Sequence, residues 1–238
     1  MGNQNFLKTT KLADVARWCV SQFVVSVAGS LPPGTAVLDA GAGECAYKDL
    51  FSHCTYKSID LGIGDSSWDY RHLDYIAPLD NMPIDDECFD AVLCTQVLEH
   101  VSNPFDTVKE IYRVLKPGGQ LFLTAPMSQG EHQIPYDYFR YTSYGLRHIC
   151  ELAGFQSVEV SPLGGMFLRW AYEVPRAMPD MPTSGIKSGK INLAGLLLAP
   201  VRIFILSIVR LVQMFLILVD PLDKDKVDPW GWKVVARK

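Results

Sequence analysis

The 238-residue sequence predicts an α/β fold, a doubly wound and mostly parallel sheet with an antiparallel C-terminal strand and a helical insertion before it. Three observations carry this. Short apolar runs of strand character alternate with segments of helical spacing between Thr35 and Val160. The first of these runs ends in a glycine turn, Asp39-Ala40-Gly41-Ala42-Gly43. A last strand-like segment, Trp232 to Arg237, stands far beyond the sixth strand, so 164–229 read as an insertion between neighbouring strands.

Lys11 to Ala28 carry apolar side chains at mixed three and four spacing, and Gly29, Pro32, Pro33 and Gly34 stop the pattern, giving an N-terminal helix and turn over 1–34. Thr35 to Asp39 (TAVLD) is the first strand, and Cys45 to Phe51 has helical character. Tyr56 to Asp60 (YKSID) is a second strand ending on an acid; Trp68 to Asp74 is expected to hold a short strand, with a loop from Tyr75 to Asp86. Phe89 to Thr95 (FDAVLCT) is a clear strand. Asn103 to Leu115 is a helix closed by Lys116-Pro117-Gly118-Gly119, and Gln120 to Ala125 is the strand after it. Tyr144 to Ala153 is a helix ended by Gly154, followed by the strand Phe155 to Val160. The core therefore spans 35–163, and 230–238 return to it as the last strand of a single domain.

Hydrophobic residues make up 48% of the chain and charged residues 20%, as in an ordinary globular protein, and the net charge is -4. Without clustered Lys and Arg there is no electrostatic reason to expect nucleic acid as a partner. The six cysteines, Cys19, Cys45, Cys54, Cys88, Cys94 and Cys150, contain no CxxC pair, so neither a disulfide framework nor a metal site is expected. His53 and Cys54 are adjacent, and their side chains diverge. A reducing, cytoplasmic location follows. Asp14 and Arg17 interrupt the stretch before the apolar run Val20 to Ala28, so a cleaved signal peptide is not expected.

Gly41-Ala42-Gly43-Glu44-Cys45-Ala46 satisfies the dinucleotide pattern GxGxxG/A, so a nicotinamide cofactor has to be weighed. Charge separates the readings. A helix N-terminus that holds pyrophosphate welcomes an anion, whereas Asp39 and Glu44 flank this turn and repel one. S-adenosylmethionine has no phosphate, carries a sulfonium and an ammonium, and needs the close backbone approach that small residues permit. Asp60, at the end of the second strand, is placed to accept hydrogen bonds from both ribose hydroxyls. An NAD-dependent oxidoreductase also lacks a Tyr-x-x-x-Lys pair at a suitable place.

The string from Phe89 to Val101 (FDAVLCTQVLEHV), followed by Arg113-Val114-Leu115-Lys116-Pro117-Gly118-Gly119, resembles the class I S-adenosylmethionine-dependent methyltransferases of the broad type 11 group, over about Val37 to Val160. The resemblance implies a Rossmann-like sheet with S-adenosyl-L-methionine as cofactor. It implies that Asp39, Gly41 and Gly43 cradle the methionine part, that Asp60 holds the ribose, and that Thr95 and Gln96 lie along the cofactor. Cys45 stands where many members have a third glycine. The acid that often meets the adenine amino group aligns near Pro78, leaving Asp80 or the backbone around Met82 to take that role. The loop from Gly130 to Thr142 lies where acceptors enter. There His132 is the candidate general base, with Tyr136, Tyr138 and Arg140 as acceptor-binding residues; Arg140 either clamps an anionic acceptor or pairs with Asp137. His100 is assigned a structural or cofactor-edge role. The implied reaction is methyl transfer to a small-molecule, glycan or lipid-linked acceptor, and the rival is a non-catalytic binding or scaffold protein of the same fold.

Ile191 to Val219 is strongly apolar, yet Pro200, Arg202 and Arg210 divide it below the ~18 uncharged residues of a membrane span. Two helices broken near Pro200 are expected. Their apolar face suits peripheral contact at the inner face of a membrane, with Lys187 and Lys190 nearby for anionic lipid, or else a homodimer contact.

Overall fold

The computed structural model describes residues 10–64, 67–178, 186–187, 190–191 and 193–238. Seven strands form one sheet: β1 (Ala36–Ala40), β2 (Thr55–Asp60), β3 (Tyr75–Ile76), β4 (Phe89–Thr95), β5 (Leu115–Pro126), β6 (Ser157–Leu163) and β9 (Gly231–Arg237). Their spatial order is β3-β2-β1-β4-β5-β9-β6. The chain from β1 to β5 pairs in parallel, and β9 slots antiparallel between β5 and β6. The insertion thus leaves β6 and returns to its direct neighbour, as the sequence predicts.

The central strands β1, β4 and the second half of β5 are buried on both faces, and alternate residues feed two core layers. Leu38, Val92, Leu121 and Leu123 meet Val108 and Ile111 of α2 (Pro104–Val114) and Leu146 and Ile149 of α3 (Ser143–Ala153). On the other face Val37, Leu93 and Phe122 meet Phe23 and Val27 of α1 (Val15–Ser30), Leu168 of α4 (Met166–Glu173) and Trp230. Each such side chain stabilises the fold by roughly 1.5–3 kcal/mol relative to exposure.

Three local expectations are corrected. Cys45 to Phe51 is not a helix of several turns: Cys45 has φ 56°, outside helical space, and only Lys48–Phe51 closes as a 3-10 turn. The strand expected in Trp68 to Asp74 moves to β3, inside the expected loop, and Tyr70–His72 is a 3-10 turn. Asp74 moors this segment, accepting from the Ser58 N–H at 3.0 Å and the Lys57 ammonium at 2.7 Å. The residues Lys116 to Gly119 belong to β5 as an irregularity, with Phe89 opposite Leu115 and Ala91 opposite Gln120.

The insertion holds α4, a hairpin of β7 (Ile186–Lys187) with β8 (Lys190–Ile191), and one long helix, α5 (Leu193–Val219), instead of two helices broken at Pro200. Proline removes one backbone hydrogen bond near the start of α5, and the helix runs on. Asp220, just past α5, accepts from the N–H groups of Gly165 (3.0 Å) and Leu168 (2.8 Å), so the two ends of the insertion are tied together at the start of α4.

Candidate cofactor and acceptor site

The site begins where β1 ends. Gly41 and Ala42 both donate to the Ile59 carbonyl of β2, at 2.8 and 3.1 Å. Asp60 then clamps the turn from below: one carboxylate oxygen accepts the Gly43 N–H at 2.9 Å and the other the Gly62 N–H at 2.7 Å. Gly41 has φ 82°, and a Cβ there would stand 2.3 Å from a methyl of Val97. Gly43 has φ 52°, and its Cβ would stand 3.2 Å from the Trp68 ring. The turn is therefore a cradle that only glycine can line. Cys45, at the position of the third glycine, keeps the left-handed backbone with a buried side chain, a conformation that costs an L-residue roughly 1–2 kcal/mol.

Asp39 is buried and accepts from the Tyr56 hydroxyl at 2.6 Å. Burial pushes its carboxyl up to about 7, with the Tyr56 hydrogen bond opposing and the nearby Asp60 reinforcing. A cationic ligand is the natural counterweight to that acid. Glu44 is differently engaged from the sequence expectation, because its carboxylate accepts the Asp69 N–H at 3.1 Å and fastens the loop carrying Trp68.

At the end of β4, Thr95 pairs in register with Thr124 of β5. Gln96 turns back to the same residue, through its N–H to the Thr124 carbonyl (2.9 Å) and its side-chain amide to the Thr124 hydroxyl (3.0 Å). Val97 rather than Gln96 is the side chain against the glycine turn. Asp80 and Met82 do not join the cradle. Asp80 lines a surface pocket with Asp106, Lys109 and Arg113 of α2. The Met82 side chain is core, its N–H donates to Glu110 at 3.0 Å, and its carbonyl accepts from Arg113 at 3.2 Å.

After Val97 the chain forms a 3-10 turn, Leu98–His100, and the loop 129–141 is sewn to it. Tyr138 donates its N–H to the Glu99 carbonyl at 2.8 Å, and the Tyr141 hydroxyl donates to the Leu98 carbonyl at 2.8 Å. Tyr141 is core, whereas Tyr136 and Tyr138 stand exposed on the rim. Arg140 is not free for an anionic acceptor: it grips both oxygens of the buried Asp137 at 2.7 and 2.8 Å and reaches the Gln129 and Gly130 carbonyls. The guanidinium holds the Asp137 carboxyl well below the usual carboxylate range.

Asp137 in turn accepts the His132 N–H at 2.9 Å. The His132 ring meets the His100 ring edge-on, with centroids 4.7 Å apart. Glu99 is fully buried beneath them, and burial pushes its carboxyl up to about 8. Burial also moves His100 down, toward the neutral form. Sequence reading reached His132 and His100 separately and Asp137 only as a partner of Arg140, the pairing seen here, and missed Glu99 and Val97.

A seven-stranded sheet of this order, with a glycine cradle after β1 and an acid after β2, defines the Rossmann-like class of nucleoside-cofactor sheets. Within that class, residues 38–123 match the family model described as a methyltransferase domain. The Pseudomonas putida (strain F1) ubiquinone biosynthesis O-methyltransferase is 41% identical over 105 residues, covering 38% of this chain and 44% of that protein. The chain thus spans under half the length of the curated relatives it matches. Among solved structures, a SAM-dependent methyltransferase from Archaeoglobus fulgidus superposes with TM-score 0.58 at 13% identity, covering 99% of this chain and 100% of that one. The Burkholderia thailandensis 1,6-didemethyltoxoflavin N1-methyltransferase, described with its substrate and S-adenosylhomocysteine, gives TM-score 0.54 at 15% identity over 93% and 78%. Structures of this fold are described with bound S-adenosylhomocysteine and with S-adenosyl-L-methionine. The cradle fits such a cofactor: no Cβ blocks close approach at Gly41 or Gly43, a buried acid stands at Asp39, and Asp60 closes the β2 end.

Proposed function

We propose that the protein transfers a methyl group from S-adenosylmethionine to a hydroxylated small-molecule, glycan or lipid-linked acceptor. When bound, the cofactor supplies an electrophilic methyl on its sulfonium. Gly41, Gly43, Asp39 and Asp60 would hold it. The observation that carries the reading is continuity: Val97 packs on the cofactor turn, and Glu99 and His100 follow it directly into the cluster with His132. Cradle and proton-handling groups therefore share one rim of the sheet. What the chain contributes is alignment and exclusion of water, worth several kcal/mol in well-oriented systems, with the cluster accepting the acceptor's proton.

Calorimetry with S-adenosylhomocysteine and labelled-methyl transfer to a cell extract test this together. Asp60→Ala is expected to weaken cofactor binding by about 10- to 100-fold, since the mutant loses the clamp on Gly43 as well as the ribose contact. Undiminished affinity would remove Asp60 from the site. Cofactor binding with no labelled product from any extract would favour the scaffold reading.

A membrane surface is the location that α5 supports. Val209, Gln213 and Leu216 form its buried stripe; Gln213 donates to the Ala171 carbonyl at 3.0 Å, and Arg210 reaches the Leu12 carbonyl at 2.9 Å. Gln213 thus faces the domain with Arg210 reaching back to it, and Ile203, Phe204, Leu211, Phe215 and Leu218 face outward. Continuous through Pro200, the helix is long and apolar enough to cross a membrane by length and composition. Its docked stripe and pinned end favour lying along the surface. The wild type is expected to float with anionic vesicles, and a Phe204→Asp, Leu211→Asp, Phe215→Asp variant to stay behind while still binding cofactor. A wild type that does not float, and runs instead as a dimer that the variant splits, would make α5 an assembly face.

A further inference from the structure

We propose that Glu99, His100 and His132 form a binding site for a divalent transition-metal cation. Their ligand atoms all lie within 4.8 Å of one another, and the Glu99 Oε1 to His100 Nε2 distance is 3.9 Å. Two imidazoles and one carboxylate are a donor set that suits zinc, manganese or ferrous iron and leaves coordination positions open. No short spaced motif marks the site, because the ligands come from two loops.

Both rings are oriented as ligands. His100 Nδ1 lies 2.6 Å from the Tyr136 carbonyl, and His132 Nδ1 lies 3.1 Å from the Gly130 carbonyl. A carbonyl oxygen only accepts, so each Nδ1 carries the proton and each Nε2 presents a lone pair. This is the arrangement in which outer partners fix the tautomer of a metal-bound histidine. Asp137 adds a carboxylate oxygen 3.4 Å from His132 Nδ1 and is itself held by Arg140.

Glu99 is the second, independent observation. Its side chain is fully buried, and neither carboxylate oxygen has a hydrogen-bond partner on another described residue. Burying an acid without a partner costs several kcal/mol, and the nearby cation, Arg140, already has its guanidinium on Asp137 and the loop carbonyls. A cation between the three side chains satisfies both oxygens. Metal-ligand distances near 2 Å place ligand atoms roughly 3–3.5 Å apart, so binding draws His132 and its loop inward by about 1 Å.

The cation site stands on this geometry alone; its placement on the acceptor side rests on the methyl-transfer reading. There its open positions would hold a hydroxyl or carboxylate oxygen of the acceptor. The test uses untagged, chelator-stripped full-length protein titrated with cobalt(II) and zinc(II), followed by visible absorption and calorimetry. One ion per chain with micromolar or tighter affinity is expected. His132→Ala and the His100→Ala, His132→Ala pair should weaken it by at least 10-fold and 100-fold, with unchanged circular dichroism. Glu99→Gln should also weaken it, and Asp60→Ala, which strikes the cofactor cradle, should leave it intact. Absence of binding by the stripped wild type, or equal binding by the double histidine variant, overturns the site whether or not methyl transfer is found.

Discussion

Replacing Gly41 by Ala is expected to lower the unfolding midpoint by roughly 6–12 °C and to weaken S-adenosylhomocysteine binding by 100-fold or more. Two costs add. The backbone at φ 82° suits glycine, and an L-residue there loses roughly 1–2 kcal/mol. The new methyl would also sit 2.3 and 2.6 Å from the two Val97 methyl carbons, an overlap of the kind that costs typically 1–3 kcal/mol in a packed core. A total of about 3 kcal/mol corresponds to the stated shift for a chain of this size. The cofactor loses more than the fold does, since relief of the clash moves the turn away from Asp60. Val97→Ala in the same chain removes the two closest carbons and should restore part of the stability, while the backbone cost persists. Differential scanning fluorimetry and calorimetry on the single and double variants read both effects. A Gly41→Ala protein with the parental midpoint and affinity would show that the turn is not the close-packed cradle described above.

The centre of the sheet was legible because β1 and β4 are buried on both sides, and continuous apolar runs such as TAVLD and FDAVLCT mark such strands with little ambiguity. The glycine turn and the place of Asp60 at the end of β2 were legible for a related reason: both depend on local backbone shape and on a strand end. Where sequence reading failed, the deciding contact came from far along the chain. Met82 read as available backbone, but Glu110 and Arg113 of α2 occupy it. Cys45 read as the start of a helix, and the turn required of it a left-handed backbone that no spacing rule reports. On α5 the shared stripe of Arg210 and Gln213 was readable, but not that it points inward, which depends on a carbonyl of α4. Glu99 and His132 were invisible as a pair because two separate loops bring them together.

Replacing Arg140 by Ala is expected to cost about 3–5 kcal/mol in the stability of the acceptor loop, more than the loss of a surface ion pair. Asp137 has a side chain only 4% exposed, and Arg140 meets both its oxygens while also holding the Gln129 and Gly130 carbonyls. Removing the guanidinium leaves a buried carboxylate uncompensated and frees the stretch that carries His132. Arg140→Lys should recover little, because a single ammonium cannot reach two oxygens and two carbonyls in one geometry. Pairing Arg140→Ala with Asp137→Asn should recover more, since the stranded charge is then gone; the difference between these variants measures the coupling. Hydrogen exchange resolves where the loss falls. The amides of His132 and Tyr138, which donate to Asp137 and to the Glu99 carbonyl, should exchange at least 100-fold faster in Arg140→Ala, while the amides of β4 and β5 keep their protection. If His132 and Tyr138 stay as protected as in the parent, the loop is held by its backbone contacts to the Leu98–His100 turn, and Arg140 is left available to an anionic acceptor after all.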